Sequence, residues 1–123
     1  IVGMPVQINA YGSVLSAFGV ESHADTFSTD REASAAAGAV AFEYSYDWRR
    51  SLDESAIEFE AFLERATRFL QVQRQSSDPI RFDVVAHSMG GLLLRYFLQY
   101  GGQLLGFVGD GPRLNWGGAA YID

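Results

Sequence analysis

The segment 80–102 constrains the fold of this chain most, because a short polar turn separates two apolar runs. The first run, residues 80–86, carries four large apolar side chains: Ile80, Phe82, Val84 and Val85. Its continuously apolar second half is typical of a strand that is covered on both faces. Residues 92–100 are apolar almost all round and predict a buried helix that Gly101 and Gly102 end.

The residues upstream predict the same alternation of strand and helix. Residues 39–46 alternate between apolar and polar side chains and predict a strand. Ser51 and Glu54 have capping-box spacing and predict the start of a long helix that ends near Gln75. Its apolar face steps by three and four residues. This face consists of Leu52, Ala56, Phe59, Leu63, Ala66 and Leu70.

Two weaker elements complete the predicted order. Residues 11–18 have helical spacing of apolar side chains, and residues 119–122 are expected to open one more strand. An alternation of helices and strands predicts a three-layer α/β fold, in which helices cover both faces of a parallel sheet. A chain of 123 residues holds at most one domain of ordinary size.

The composition argues against several classes of protein. A net charge of −6 without a basic run makes nucleic-acid binding improbable, and the lack of cysteine excludes disulfides and thiolate metal sites. The apolar runs are shorter than a membrane span requires, and no export signal is apparent, so we expect a soluble chain. Because the chain begins at Ile1 rather than methionine, we expect it to be part of a longer gene product. Its compartment and its oligomeric state stay open.

The turn between the two apolar runs carries the strongest chemical signal. It reads Ala86-His87-Ser88-Met89-Gly90-Gly91. A serine at a strand-to-helix turn is the pattern of a nucleophile elbow, which needs small residues two positions before and after the serine. Ala86 and Gly90 meet that need, and we expect His87 and Gly91 to support the turn. The Met89 N–H, at the start of the helix, is expected to stabilise an oxyanion on a substrate that Ser88 attacks.

A structural role for this serine and the position of its partners are separate questions. A serine between a strand and a helix is also a common N-cap, so capping is the alternative for Ser88.

The histidines of the chain are poorly placed to act as the base. The side chain of His87, next to the serine in sequence, should leave the turn in another direction. His23 precedes it, whereas the order in such sites is nucleophile, acid, histidine. The aspartates that follow, Asp110 and Asp123, come too early, so the acid and the histidine are expected beyond residue 123.

Residues 46–49 read Tyr-Asp-Trp-Arg and lie between a predicted strand and the capped helix. The carboxyl ends of parallel strands line one edge of a sheet, so Asp47, Trp48 and Arg49 are expected to support the site around Ser88. In the alternative, Asp47 and Arg49 pair with each other or with loop backbone while Trp48 packs against the protein.

Together these motifs resemble the lecithin:cholesterol acyltransferase-type lipases and acyltransferases of the α/β-hydrolase superfamily. The resemblance rests on residues 46–49, residues 82–92, Arg95, Tyr96, Trp116, Gly118, Tyr121 and Asp123. Ser45 stands where a proline often precedes the tyrosine of that group. The resemblance implies that residues 1–123 are the central part of a hydrolase domain, about its fourth to sixth strands.

The resemblance also implies an activity. It is serine-dependent hydrolysis of lipid-like acyl esters, or acyl transfer from them, through an acyl-enzyme and a Ser-Asp-His triad without metal or organic cofactor. A thioesterase or peptidase of the same fold is a variant of this hypothesis. The alternative from another class is a degenerate, non-catalytic module that binds an apolar ligand or partner. We expect the isolated 123-residue chain to be inactive and unstable, because missing strands would leave apolar edges uncovered.

Overall fold

The computed structural model describes residues 12–17, 41–104 and 111–123 of the chain. Helix α1 spans Gly12–Ala17, α2 spans Leu52–Arg74 and α3 spans Met89–Tyr100. A short 3₁₀ helix spans Gly117–Ala120. Residues 41–47 and 80–87 connect to α2 and α3 without forming helix. In these parts of the chain, no helix is long and apolar enough to cross a membrane.

Helix α2 forms where the sequence predicts it. Ser51 is its N-cap, and its first-turn acids, Asp53 and Glu54, lie near the positive end of the helix dipole. Gln75 ends the helix in a left-handed conformation with a φ of 51°. Most of the predicted apolar face is buried, and Leu52 is half-buried. The buried apolar residues of this helix are Ala56, Phe59, Phe62, Leu63, Ala66 and Leu70.

The predicted capping box at the start of α2 is wrong. Ser51 makes no side-chain capping hydrogen bond. Glu54 instead accepts a hydrogen bond from Arg50 Nε at 3.4 Å, and Arg50 Nη1 also pairs with Glu58. A charged guanidinium one residue before the cap therefore competes for the carboxylate that a capping box would use.

Aromatic side chains of α2 and α3 form the centre of the core. The rings of Phe59 and Phe97 meet edge to face, with centroids 5.0 Å apart, and Phe97 is fully buried. Tyr44 joins them from the preceding segment, with its ring centroid 5.0 Å from those of Phe59 and Phe62. Its hydroxyl donates to the Ser55 carbonyl oxygen at 3.3 Å. Ring contacts of this kind stabilise the packing beyond the burial of apolar area.

The predicted three-layer α/β fold with a parallel sheet is wrong for the part of the chain that the structure describes. Its residues form helices and irregular segments, and no strand. The strands predicted over residues 39–46 and 80–86 are irregular in residues 41–46 and 80–86. Residues 39 and 40 lie outside the described part of the chain. An isolated parallel β-bridge joins Phe82 to Ile122.

The physical reason is that a strand depends on backbone pairing with a neighbour, which side-chain alternation does not encode. The apolar side chains of the alternating patterns, Phe42 and Tyr44 in one segment and Val84 in the other, pack on the core that the helices form. Residues 119–122 likewise form the end of the 3₁₀ helix and one bridge position rather than a strand.

The helix predicted over residues 92–100 starts three residues earlier, and it is less buried than its composition suggests. In α3 the buried residues are Leu93 and Phe97, four positions apart on one face. Leu92 is 57% exposed. The helix predicted over residues 11–18 is described over Gly12–Ala17, and its terminal residues lie outside the described part.

The last described segment, residues 111–123, joins the end of α3 to the start of segment 80–87. The backbone N–H groups of Asn115 and Trp116 both donate to the Gln99 carbonyl oxygen, at 3.1 and 3.0 Å. The Phe82 N–H donates to Tyr121 O at 2.8 Å, and the Asp123 N–H donates to Phe82 O at 3.1 Å. Residues 111–123 thereby connect the end of α3 to segment 80–87 through backbone hydrogen bonds.

Gly118 marks the closest approach within this arrangement. A Cβ placed on Gly118 would lie 2.6 Å from the Phe97 carbonyl carbon and 2.8 Å from its ring. We expect Gly118→Ala to lower the free energy of unfolding by about 1–3 kcal/mol, because helix backbone cannot yield as a flexible side chain would. Gly91→Ala is the matched control, since a Cβ on Gly91 would meet no atom within 4 Å apart from its chain neighbours and the backbone of its own helix. It should add up to about 1 kcal/mol through helix propensity. Urea unfolding of the protein measures both, and equal stability of the two variants would contradict the packing argument.

Candidate active site

Ser88 occupies a sharp turn between segment 80–87 and α3. Its backbone has a φ of 54° and a ψ of −124°, and its side chain is exposed. Two backbone hydrogen bonds between residues three apart close the turn, from Gly90 N–H to His87 O at 3.0 Å and from Gly91 N–H to Ser88 O at 2.9 Å. A positive φ is uncommon for a residue that carries a Cβ, so the turn holds this serine in a strained conformation.

Helix capping does not account for Ser88. A capping serine has an extended backbone, and its oxygen accepts a hydrogen bond from an N–H of the first helical turn. Ser88 has neither property, because its φ is positive and its side chain makes no capping hydrogen bond. Ser51 offers a comparison within the same chain, since it precedes α2 with a φ of −66° and a ψ of 155°. The starts of α2 and α3 therefore differ in backbone conformation. Trp116, which precedes the short 3₁₀ helix, also has a positive φ, of 55°.

The small residues on either side of the serine lie close together. A Cβ on Gly90 would lie 3.8 Å from the Ala86 Cβ, which is ordinary van der Waals contact. A larger side chain at either position would crowd the other across the turn. The structure thus brings together Ala86 and Gly90, the two positions where the sequence motif requires small residues.

The start of α3 supplies polar backbone groups beside Ser88. Met89 is the first residue of this helix. The first N–H groups of a helix lack partners within the helix, and they form the positive end of its dipole. An anionic oxygen near Ser88 would therefore meet a favourable field. His87 also adjoins the serine, and its side chain is exposed.

Residues 47–50 form a tight turn, and an ion pair between Asp47 and Arg49 spans it. Arg49 Nε and Nη2 donate to the two oxygens of Asp47, each at 2.8 Å, and the Arg49 N–H donates to Oδ1 at 3.0 Å. These hydrogen bonds lower the pKa of the Asp47 carboxyl and raise that of the Arg49 guanidinium. The pairing that the sequence offered as an alternative is present. Trp48 does not pack as that alternative expected, because its side chain is 68% exposed.

Other residues of the sequence motifs have structural contacts. The Tyr96 hydroxyl donates to the Gln103 carbonyl oxygen at 2.8 Å, and burial raises the pKa of this phenol. The hydroxyl therefore stays a donor at neutral pH. The ring centroid of Tyr121 lies 5.9 Å from that of Phe97. In the described ranges, no group of three or more His, Asp or Glu side chains could hold a metal ion.

A cavity of about 230 Å³ lies near the C-terminal end of α2, away from the serine turn. It is lined by Leu70, Arg74, Pro79, Ile80, Arg81, Phe82 and Asp83. Arg81 is already engaged, since its Nε donates to the Ile122 carbonyl oxygen at 3.0 Å. The strained and exposed Ser88 is therefore the stronger candidate for chemistry.

The sequence matches a known protein family. The family model for lecithin:cholesterol acyltransferase matches residues 33–104, which is more than half of the chain. The chain belongs to the lecithin:cholesterol acyltransferase family. This confirms the resemblance inferred from the motifs, and both the turn at Asp47 and the turn at Ser88 lie within the matched range. No curated protein and no solved structure gives a significant match.

Membership of the lecithin:cholesterol acyltransferase family indicates lipase-like or acyltransferase chemistry on lipid substrates.

Arg50 is a residue that the sequence motifs did not indicate. It forms ion pairs with Glu54 and Glu58 at the start of α2. Its signal in the sequence is the four-residue spacing from Glu54, which is favourable for opposite charges along a helix.

The ion pair at residues 47 and 49 gives a test by titration. The pKa of Asp47 should lie below its ordinary value of 3.8, and Arg49→Gln should raise it towards that value. The control Arg68→Gln removes an exposed arginine of α2 and should leave Asp47 unchanged. Carboxyl ¹³C NMR against pH measures these values. The pair stabilises the fold above the ordinary pKa, and this contribution is lost as the pH falls through the lowered one. If Arg49→Gln left the pKa of Asp47 unchanged, the ion pair between Asp47 and Arg49 would not be the cause of the lowered pKa.

The strain at Ser88 can be tested without any substrate. Glycine adopts positive φ without the steric cost that a Cβ imposes, whereas alanine keeps that cost. Ser88→Gly should therefore unfold with a free energy about 1 kcal/mol higher than Ser88→Ala, even after the entropy penalty of glycine. Equilibrium unfolding in urea compares the two variants. A glycine variant that is no more stable than the alanine variant would show that the turn is not strained.

Proposed function

We propose that this protein is a serine-dependent acyl-ester hydrolase or O-acyltransferase that acts on lipid-like esters, with Ser88 as its nucleophile. The observation that carries the proposal is the backbone of Ser88. In a member of a lipid acyltransferase family, an exposed serine is held at positive φ directly before a helix and makes no capping hydrogen bond. Strained residues of this kind cluster at functional sites, where the surrounding structure fixes them.

In the first step, Ser88 Oγ attacks the carbonyl carbon of the ester. A bond forms between Oγ and carbon while the carbonyl π pair moves to oxygen, which becomes an oxyanion. A general base accepts the hydroxyl proton. We assign that role to a histidine downstream of Asp123, paired with an acid, since nucleophile, acid and histidine follow one another in this order.

The Met89 N–H is suited to the oxyanion that this attack produces. It lies at the first position of α3, where the dipole of the helix adds to the hydrogen bond. Removing one such donor from a preorganised site typically lowers kcat by about 10²- to 10³-fold. Ala86, His87, Gly90 and Gly91 support the turn that holds both the nucleophile and this donor.

Collapse of the tetrahedral intermediate breaks the bond to the leaving alcohol, which takes the proton from the base. Water or a second alcohol then attacks the acyl carbon and gives its proton to the same base. The bond between that carbon and Ser88 Oγ breaks, Oγ takes the proton back from the base, and the acid or a new ester is released. Hydrolysis and transfer thus share Ser88 and differ only in the molecule that reaches the acyl group.

The proposal predicts that Ser88→Ala abolishes ester turnover by the complete protein that carries this chain. We expect kcat/KM for p-nitrophenyl esters to fall by about 10³-fold or more, because removing the nucleophile removes the covalent path. Ser51→Ala is the matched control, since Ser51 also precedes a helix without a side-chain cap but has an ordinary extended backbone. It should keep its activity.

A second readout identifies the reactive atom directly. A fluorophosphonate should label the wild-type protein at Ser88, as located by peptide mass spectrometry, and should leave Ser88→Ala unlabelled. In the complete protein that carries this chain, full turnover in Ser88→Ala, or a wild type that is neither labelled nor active, would contradict the proposed function. The latter outcome favours a module that binds an apolar ligand without chemistry.

A further inference from the structure

The cavity near the C-terminal end of α2 is lined by apolar and charged side chains together. Its volume is about 230 Å³. Leu70 of α2 and Phe82 of segment 80–87 give it apolar surface, and its charged lining residues are Arg74, Arg81 and Asp83. A cavity of about 150 Å³ is large enough to bind benzene, so this one has room for a small organic molecule.

Hydrogen bonds attach the walls of this cavity to the rest of the protein. Gln71 Nε2 donates to the carbonyl oxygens of Ser77 and Asp78, at 3.4 and 3.1 Å, so the chain that follows α2 is tied back to the helix. The facing wall is attached at Phe82, which forms backbone hydrogen bonds with residues 121–123. A ligand that enters the cavity therefore does not have to order these segments first.

Arg81 is committed to contacts within the protein. Its Nε donates to the Ile122 carbonyl oxygen at 3.0 Å, and its Nη2 donates to that of Ala119 at 3.4 Å. Asp123 Oδ1 lies 3.8 Å from the same Nε and offsets part of the positive charge. Arg81 is therefore a fixed part of the wall rather than a free donor.

Arg74 is the uncommitted cation of the cavity. Its side chain is exposed, and within the described ranges no hydrogen bond or ion pair engages it. An arginine in the last turn of a helix commonly donates to the terminal carbonyl oxygens. Here the carbonyl oxygens of Gln71 and Val72 already accept backbone hydrogen bonds from the residues that follow the helix. The guanidinium of Arg74 is therefore available to an anion in the cavity.

Asp83 brings the opposite charge to the same cavity. Its side chain is exposed, and among the described residues it has neither a hydrogen bond nor an ion pair. Asp83 and Arg74 thus line one cavity without meeting each other. Two opposite charges in this arrangement are complementary to a molecule that carries both charges, because each end of that molecule then forms a charge-assisted hydrogen bond.

We propose that this cavity binds a small zwitterion with an apolar group, and that the free apolar amino acids, such as leucine, are the chemical class that fits it. The ligand's carboxylate bonds to Arg74, its ammonium group bonds to Asp83, and its side chain contacts Leu70 and Phe82. Ser88 is not among the residues that line the cavity. This inference therefore does not depend on the proposed function.

Equilibrium dialysis with radiolabelled L-leucine tests the site in the complete protein that carries this chain. Two competitors share the shape of leucine and lack one charge each, since 4-methylpentanoate has no ammonium group and 3-methylbutylamine has no carboxylate. Each should compete at least tenfold more weakly than unlabelled leucine, because it loses one charge-assisted hydrogen bond. Phosphocholine, a zwitterion without an alkyl side chain, should also compete more weakly, because it leaves the apolar lining uncovered.

Substitution of the two charged residues identifies which end of the ligand each one binds. Arg74→Gln should weaken the binding of leucine at least tenfold without weakening that of 3-methylbutylamine. Asp83→Asn should weaken leucine by a similar factor without weakening 4-methylpentanoate. Arg68→Gln is the matched control and should bind leucine as the wild type does, since Arg68 is an exposed arginine of α2 outside the cavity lining.

Several results would overturn this inference. They are the absence of leucine binding at millimolar concentrations, equal competition by leucine and either single-charge analogue, and wild-type affinity for leucine in Arg74→Gln. Equal competition by phosphocholine would overturn the role of the apolar lining. Ser88→Ala separates the inference from the proposed function, because this variant should lose ester turnover and keep its affinity for leucine.

Discussion

The edge-to-face contact between Phe59 and Phe97 is the interaction on which the rest of the described structure depends. It joins α2 to α3, and Phe97 has no exposed surface. Tyr44 packs on Phe59, and Tyr121 packs on Phe97, so the segments before and after the two helices attach to the same rings. A buried aromatic pair combines a large apolar area with a preferred geometry, and it can therefore fix the angle between two helices. The position of the Ser88 turn at the start of α3 follows from this packing.

The sequence predicted helix α2 well because the signals for this helix are local. Its apolar face repeats every three to four residues, and its ends lie at Ser51 and Gln75 as expected. The parallel sheet was wrong because pairing between strands depends on residues far away in the chain. Alternation over residues 41–47 records which side chains face the helix core, and a helix core satisfies it as well as a sheet does. Helix α3 was predicted too buried for a similar reason, since composition does not say how many faces find a partner.

The candidate site was predictable to the extent that its chemistry is encoded locally. Ala86, Ser88 and Gly90 stand at the spacing that a strained turn requires, and the turn has the positive φ that such a pattern implies. The exposure of Trp48 was not predictable, because it depends on what packs above the turn. The pairing of Asp47 with Arg49 was one of two options from the sequence. The choice between them needed the geometry of the turn, in which the carboxylate and the guanidinium meet at two points.

The hydrogen bonds of residues 111–123 have a mechanical consequence for the serine turn. Segment 80–87 and helix α3 form two sides of a triangle that meet at Ser88. The third side runs from Gln99 to Phe82 through the backbone contacts of Asn115, Trp116, Tyr121 and Asp123. A triangle with three fixed sides cannot change its angles. The turn at Ser88 is thus held from its opposite side, and the angle between segment 80–87 and α3 would widen only if hydrogen bonds remote from the serine broke first.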